Sequence, residues 1–150
     1  MKTLYIMIGL PGSGKSTYAE NICARNRTTL VSTDEIRREL WGSAADQQRG
    51  DEVFNEAYRR IEIALVAGDD VVFDATNLKG RNRRYLCRRF RPIAEEIKAI
   101  YIKASIETCI AADSLRARKV GAEVITRMAG TMTEPSLEEG FDSIEIKERA

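Results

Sequence analysis

The sequence predicts a three-layer α/β domain with a mainly parallel β-sheet. Short apolar runs alternate along the chain with longer segments whose apolar residues recur at helical spacing. Strands that alternate with helices are joined by right-handed crossovers and lie parallel in one sheet. The length of 150 residues is typical of one domain. We therefore expect a single domain over residues 1–150.

The first elements are a strand, a glycine-rich loop and a helix. Residues 4–8 form an apolar run that stops at glycines, and helical spacing resumes at residues 19–23. A second strand is predicted at residues 29–32, and a helix begins near Asp34. The most regular helix is predicted over residues 51–67, because apolar residues recur there on one face.

The second half continues the alternation. Gly68 stands where the left-handed residue of a helix C-terminus belongs, and the apolar run at residues 71–73 is typical of a strand covered on both faces. The remaining predicted elements are helices at 81–91, 106–115 and 122–128 and strands at 97–102 and 141–146.

The composition excludes several classes of protein. With 24 basic and 23 acidic residues the net charge is +1, so nucleic acid or membrane would have to bind a local patch. The count of 0 histidines excludes His-dependent triads and His-ligated metals. Cys23, Cys87 and Cys109 are widely spaced and are predicted to be buried thiols of a reducing compartment. Since no apolar run is long enough to span a membrane, we expect a soluble, cytoplasmic protein without a membrane partner.

Residues 9–16, called here the phosphate loop, fit the pattern G-x-x-x-x-G-K-[ST] between a predicted strand and helix. The glycines let backbone N–H groups approach phosphate oxygens, and the helix N-terminus adds its positive dipole end. Lys15 would reach the β and γ phosphates, and the Ser16 hydroxyl would ligate Mg²⁺. A purely structural glycine turn is the alternative. The context favours a nucleoside triphosphate site.

Asp34 is the candidate general base. Transfer of a phosphoryl group to a hydroxyl uses a carboxylate that orients the hydroxyl and takes its proton. Asp34 follows the second strand, at the sheet edge where α/β proteins bind ligands. Arg37 falls on the same helical face and could hold an anionic group of the acceptor. The spacing fits equally well an N-cap role for Asp34, beside a capping box of Ser32 and Glu35, and leaves both open.

Two further segments carry candidate site residues. Residues 71–74 resemble a Walker B strand whose final acid, Asp74, holds Mg²⁺ or its water shell, with an Asx turn as the alternative. Arg116, Arg118 and Lys119 cluster between two predicted helices. A mobile basic segment there would close over the phosphates, although basic residues also suit a helix C-terminus.

The predicted helix at 81–91 is strongly basic. Its apolar residues face the core, and a cationic stripe lies opposite. A stripe without acidic neighbours favours a phosphate-rich partner, with a solvated face as the alternative. The acidic tail that follows Glu134 is expected to be a solvated face. The stripe consists of Arg81, Arg84, Arg88 and Arg91.

Taken together, the motifs resemble the P-loop kinase family that contains the polynucleotide 5′-hydroxyl kinases, including the kinase domains of nucleic-acid end-healing enzymes. The matching segments are residues 9–17, 32–37, 74–78, 116–120 and 134–141.

The resemblance implies a P-loop kinase fold with a short helical lid at about residues 112–122. It also implies ATP as phosphoryl donor, Mg²⁺ as cofactor and a nucleic acid 5′-hydroxyl end as acceptor. A small-molecule kinase acting on a metabolite or nucleoside, and a nucleotide-driven switch that is not a kinase, are the alternative functions.

The resemblance and the patterns above together assign roles to residues. The catalytic residues would be Asp34 as general base, Lys15 and Arg116. The nucleotide would bind Gly9, Pro11, Gly12, Ser13, Gly14, Lys15, Ser16, Thr17, Arg116 and Arg118, with Ser16 on the metal. The acceptor would bind Arg37, Asp74, Thr76, Asn77, Arg81 and Arg84.

Overall fold

The computed structural model describes residues 2–25, 27–41, 50–117 and 119–149. The strands are β1 (Thr3–Ile8), β2 (Thr28–Ser32), β3 (Asp70–Asp74), β4 (Glu96–Ala104) and β5 (Ser143–Arg149). The helices are α1 (Lys15–Cys23), α2 (Thr33–Trp41), α3 (Gly50–Val66), α4 (Gly80–Phe90), α5 (Ile106–Ser114) and α6 (Ala122–Thr131), with a 3₁₀ turn at Leu137–Glu139.

The strands form one sheet in the order β2-β3-β1-β4-β5, and each neighbouring pair is parallel. The α/β class with a mainly parallel sheet is therefore confirmed. Because all strand C-termini meet at one edge, the loops after β1, β2 and β3 lie side by side there. The central strand β1 presents its loop in the middle of that edge.

Helices cover both faces of the sheet and give the three layers. On one face, Leu4 and Ile6 pack in the same apolar cluster as Ile61 of α3 and Phe90 of α4. On the other face, the alternate residue Met7 packs with Ala19 and Ile22 of α1. This period of two along a fully buried strand fixes which helix lies on which face. Gly68 follows α3 with φ +95°, as a helix C-terminus requires.

The expectation that the acidic tail is a solvated face was wrong. Arg83 of the basic helix is fully buried, and it forms an ion pair with Glu139 of the acidic tail, with Nε and Oε1 2.7 Å apart. Arg91 pairs with Asp142, with Nη1 and Oδ2 2.8 Å apart. The tail is not merely a solvated face, because its carboxylates neutralise part of the basic helix. This pairing was not visible in the sequence since the partners lie far apart along the chain.

The cysteines are free thiols in the part of the chain that the structure describes. Cys87 and Cys109 are buried as expected, whereas Cys23 is only half-buried. Burial raises the pKa of the Cys87 thiol to about 11, so this group is not a nucleophile at neutral pH. Among the described residues, no helix has both the length and the apolar composition that crossing a bilayer demands.

Candidate active site

The phosphate loop connects β1 to α1 and is shaped by its glycines. Gly12 and Gly14 have φ values of +83° and +95°, which side chains rarely adopt. A Cβ on Gly12 would also collide with the carbonyl oxygen of Cys109. Gly14 caps α1 without any side-chain hydrogen bond, so the first N–H groups of the helix are left for a ligand. The loop has the geometry of an anion site.

Gly9 and Ser13, two of the predicted nucleotide-binding residues, support the phosphate loop from its inner side. The Gly9 N–H donates to the Thr76 carbonyl oxygen at 3.1 Å, which joins the loop to the segment after β3. The Ser13 N–H donates to Leu10 at 3.1 Å, and the Ser13 side chain is buried. A Cβ on Gly9 would lie 2.7 Å from the Ser13 Oγ. Gly9 and Ser13 therefore hold the loop in shape from its inner side.

Ser16 and Asp74 meet behind the loop. The Ser16 hydroxyl donates to Asp74 Oδ2 at 2.8 Å, and Asp74 is buried at the end of β3. A hydroxyl and a carboxylate are oxygen ligands of the kind that Mg²⁺ prefers. No group of three or more Cys, Asp or Glu residues suited to a metal occurs in residues 2–25, 27–41, 50–117 and 119–149. The pair fits a Mg²⁺ that completes its coordination with phosphates and water.

Asp34 lies in the first turn of α2, across the cleft from the loop. The cap of this helix is Ser32, whose Oγ accepts from the Glu35 N–H at 3.3 Å. The Asp34 carboxylate is 48% exposed and lines the cleft. Its Oδ1 lies 3.4 Å from Arg37 Nη1, and its Oδ2 lies 3.8 Å from Arg116 Nη2. Since Ser32 provides the cap, the Asp34 carboxylate remains available to a ligand.

Arg37 is a buried cation on the cleft wall. It is 7% exposed, and its Nε has no hydrogen-bond partner among the described residues. A buried guanidinium with open donors is costly unless an anion completes it. Its contact with Asp34 confirms that both lie on one face of α2. The arrangement can bind an anionic group beside the carboxylate.

Asp113 organises the segment between α5 and α6, where the sequence predicts a lid. Its two carboxylate oxygens accept from the Val120 N–H at 3.0 Å and the Gly121 N–H at 2.9 Å. Its Oδ1 also lies 3.5 Å from Arg116 Nη1. Arg116 thus links this segment to Asp34, and Asp113 sets the position of Arg116. Arg118 lies outside the described residues.

Other predicted acceptor residues are distributed between the cleft and the scaffold. Thr76 lines the cleft, but Asn77 is buried with φ +47° and donates from Nδ2 to the Met7 carbonyl oxygen at 2.7 Å. The Asn77 side chain therefore braces its loop against β1. Arg81 is exposed on α4. Arg84 lines a separate hollow of about 330 Å³ beside Cys87 and Gly140.

These elements enclose a cleft of about 500 Å³. Several of its residues were not predicted from the sequence. An apolar residue on a helix is expected to lie in the core, and an arginine late in the chain is expected to lie on the surface. The rule that ligands bind at strand C-termini could have pointed to Arg149, which ends β5. The predicted lining residues are Pro11, Gly12, Gly14, Lys15, Ser16, Thr17, Asp34, Arg37, Asp74, Thr76 and Arg116, and the others are Thr33, Phe54, Ala75, Asn82, Ala112, Val120, Met128 and Arg149.

A parallel sheet with a G-x-x-x-x-G-K-S loop after its central strand defines a P-loop nucleotide-binding domain. The profile of a family described as AAA domain, AAA_33, matches residues 4–135. The chain belongs to this family, and its fold implies use of a nucleotide.

Curated relatives match a part of the chain. The 2′,3′-cyclic-nucleotide 3′-phosphodiesterase of Rattus norvegicus is 44% identical over 63 residues, which are 41% of this chain and 13% of the relative. The enzyme of Mus musculus matches with the same values, 44% over 63 residues, 41% and 13%. The chain thus matches only a small part of the length of these relatives.

Solved structures share the fold. A chain of the Pnkp1/Rnl/Hen1 RNA repair complex superposes with a TM-score of 0.75 at 20% identity, over 87% of this chain and 43% of that chain. A sugar kinase from Janibacter sp. HTCC2649 superposes with a TM-score of 0.70 at 18% identity, over 99% of this chain and 85% of that one. These similarities establish the P-loop kinase fold, which both kinds of protein share.

Proposed function

We propose that this protein is an ATP-dependent kinase that transfers the γ-phosphate to the 5′-hydroxyl of a polynucleotide, as one domain over residues 1–150. The observation that carries the proposal is the position of Asp34, across the cleft from the phosphate loop and between Arg37 and Arg116. A carboxylate with a cation on either side suits an acceptor hydroxyl whose neighbouring group is anionic. The product would be a repaired DNA or RNA end.

On the donor side, the N–H groups at the start of α1 bind the β-phosphate and Lys15 contacts the β and γ phosphates. Ser16 and Asp74 would hold Mg²⁺, which supplies charge neutralisation at the β and γ oxygens when it is bound. Arg116 stabilises the charge that moves to the leaving oxygen. The lining residues Pro11, Gly12, Gly14 and Thr17 complete the nucleotide site.

On the acceptor side, Asp34 orients the 5′-hydroxyl and takes its proton as the new bond from O5′ to the γ-phosphorus forms. The bond from the γ-phosphorus to the bridging oxygen breaks, and ADP leaves with that electron pair. Arg37 binds the phosphate that follows the terminal nucleoside. Thr76 lies on the same cleft wall as part of the acceptor site.

The buried cation favours a phosphate-bearing acceptor over a neutral one. Arg37 lines the cleft and contacts Asp34 at 3.4 Å, and a neutral sugar would bring no anion to this guanidinium. The exposed arginines of α4, Arg81, Arg84 and Arg88, offer further contacts to a strand. The names of the RNA repair complex and of the cyclic-nucleotide relatives are consistent with a nucleic acid substrate. Free thiols agree with the cytoplasmic location that we propose.

An acceptor panel tests the proposal. The protein is incubated with ATP, Mg²⁺ and, separately, 5′-hydroxyl oligonucleotides, nucleoside 3′-monophosphates, nucleosides and hexoses, and products are scored for the mass gain of one phosphate. We expect phosphorylation of the oligonucleotides and, more weakly, of the nucleoside 3′-monophosphates. Gain on a hexose alone would establish a small-molecule kinase, and ATP hydrolysis without any phosphorylated product would establish a switch. The Asp34→Asn variant is the control for contaminating kinases.

A further inference from the structure

Arg149, at the end of β5, lies directly on the phosphate loop. Its Nη1 donates to the Gly12 carbonyl oxygen at 2.9 Å. An added Cβ on Gly14 would lie 3.1 Å from the same nitrogen, so the guanidinium rests against the loop backbone. Arg149 is exposed and lines the cleft that contains Lys15. One side of a planar cation is thus fixed to the loop while the residue stays open to the cleft.

The order of the strands places Arg149 and Asp34 on opposite sides of the loop. The sheet order is β2-β3-β1-β4-β5, with the phosphate loop after the central β1. Asp34 follows β2, the outermost strand on one side of the sheet. Arg149 ends β5, the outermost strand on the other side. Since neighbouring strands lie about 4.8 Å apart, each of these residues is about two strand spacings from the loop strand.

The in-line geometry of phosphoryl transfer indicates on which side of the phosphate loop the donor nucleoside lies. The attacking and leaving oxygens lie roughly in line through the γ-phosphorus. The acceptor lies at Asp34, on the β2 side, so the rest of the nucleotide extends toward the β5 side. There the nucleoside meets the loop surface on which Arg149 rests.

We propose that Arg149 binds the base of the donor nucleotide by stacking its guanidinium plane on the ring. The inference rests on the proposed donor site and names the group that recognises its nucleoside half. The hydrogen bond to Gly12 holds the plane in position before the nucleotide arrives. Guanidinium groups stack on aromatic rings, and stacking is tolerant of the base because every base has a π face. ATP and GTP therefore bind with similar affinity.

Equilibrium binding of ATP, GTP and inorganic tripolyphosphate, measured without acceptor, tests the proposal. Arg149→Ala is compared with the wild type and with Lys147→Ala, which removes an exposed cation from the same strand. We expect Arg149→Ala to lower the affinity for ATP and for GTP about tenfold each, as the loss of one stacking contact does. The affinity for tripolyphosphate should change less than about twofold. Lys147→Ala should leave all three affinities unchanged.

An equal loss of affinity for tripolyphosphate would overturn the proposal, since Arg149 would then act on the phosphates or on the shape of the loop. Unchanged ATP affinity would overturn it as well. Arg149→Gln, which keeps a donor for Gly12, provides a second variant and should show the same pattern as Arg149→Ala. The acceptor plays no part in this measurement. Failure of the wild type to phosphorylate oligonucleotides would therefore leave the stacking result standing, whereas failure to bind ATP would overturn both.

Discussion

Two buried arginines mark the difference between the scaffold and the cleft. Arg83 is 0% exposed, and its five N–H donors bond to Glu139, Asn77, Leu78 and Thr133. Arg37 is 7% exposed, its contact with Asp34 is long at 3.4 Å, and its Nε has no partner within the described residues. A saturated buried cation fixes structure. An open one is suited to bind a ligand.

The saturated network also supports the site. Arg83 holds the carbonyl oxygens of Asn77 and Leu78, at 3.0 and 2.8 Å, and so shapes the segment that follows β3. That segment includes Thr76, whose carbonyl accepts from Gly9 of the phosphate loop. The Arg83 network thus reaches the cleft through one intervening loop, and we expect the two regions to respond differently to substitution.

The largest expected effect is on catalysis. Asp34→Asn keeps the size of the side chain but removes the base that takes the hydroxyl proton, so we expect kcat to fall about 10³-fold, or about 4 kcal/mol of transition-state free energy. ATP affinity and the free energy of unfolding should stay near those of the wild type, because the cap of α2 is Ser32. Steady-state transfer to a 5′-hydroxyl oligonucleotide provides the measurement, and a rate near that of the wild type would remove Asp34 from its role.

The next effect is on stability. Glu139→Gln leaves Arg83 charged and buried without its carboxylate, and removal of one partner from a buried ion pair costs about 3–5 kcal/mol. Urea unfolding at pH 7 measures this loss. The double variant Arg83→Met with Glu139→Leu should recover only part of it, because no uncompensated charge remains but the carbonyl oxygens of Asn77 and Leu78 lose their donor. A cost below about 1 kcal/mol would contradict a stabilising role for the Arg83–Glu139 pair.

The open arginine should respond in the opposite way. Arg37→Gln removes the anion-binding group, and we expect kcat/KM for a nucleoside 3′-monophosphate to fall about 10–100-fold, the size of a charge-assisted hydrogen bond. The value for the unphosphorylated nucleoside should change little, because that acceptor has no phosphate to lose. Unfolding free energy should change by less than about 1 kcal/mol, since the contact with Asp34 is long at 3.4 Å and the Asp34 side chain is half exposed. Equal loss for both acceptors would contradict the assignment.

Local patterns predicted most of the fold and the centre of the site. The alternation of strands and helices, the phosphate loop and the position of Asp34 after β2 all depend on residues close together in sequence. The Arg83–Glu139 pair and the Arg149–Gly12 contact join residues far apart along the chain, and spacing carries no information about them. They follow only from the tertiary structure, which packs residues 139–149 against α4 and the phosphate loop.

The role of Asp113 in the segment between α5 and α6 was not predicted from the sequence, for a related reason. Asp113 reads as an ordinary helical residue, yet it accepts two backbone N–H groups from the far end of this segment. Asp113 can accept these hydrogen bonds because the chain turns back between α5 and α6. A short acidic side chain before a glycine-containing loop is the one signal that could have suggested this role.

The smallest effect concerns an exposed pair in the same region as Arg83. Asp142 Oδ2 accepts from Arg91 Nη1 and from the Ile97 N–H, each at 2.8 Å, and its side chain is 41% exposed. The Arg91 guanidinium and this N–H lower the pKa of Asp142. Asp142→Asn should therefore cost about 0.5–1 kcal/mol at pH 7, reduced by solvent screening relative to the buried pair.

The pH dependence of that cost separates charge from packing. Because the pKa of Asp142 is lower in the folded state, its stabilisation is present above the unfolded value of about 3.9 and is lost as the pH falls through the folded value. Urea unfolding of the wild type and Asp142→Asn should thus differ at pH 7 and converge in acid. Glu62→Gln, which removes one exposed carboxylate from α3, is the control for net charge. A difference that persists unchanged at low pH would mean that Asp142 acts through its shape, and the exposed pair would then contribute nothing through its charge.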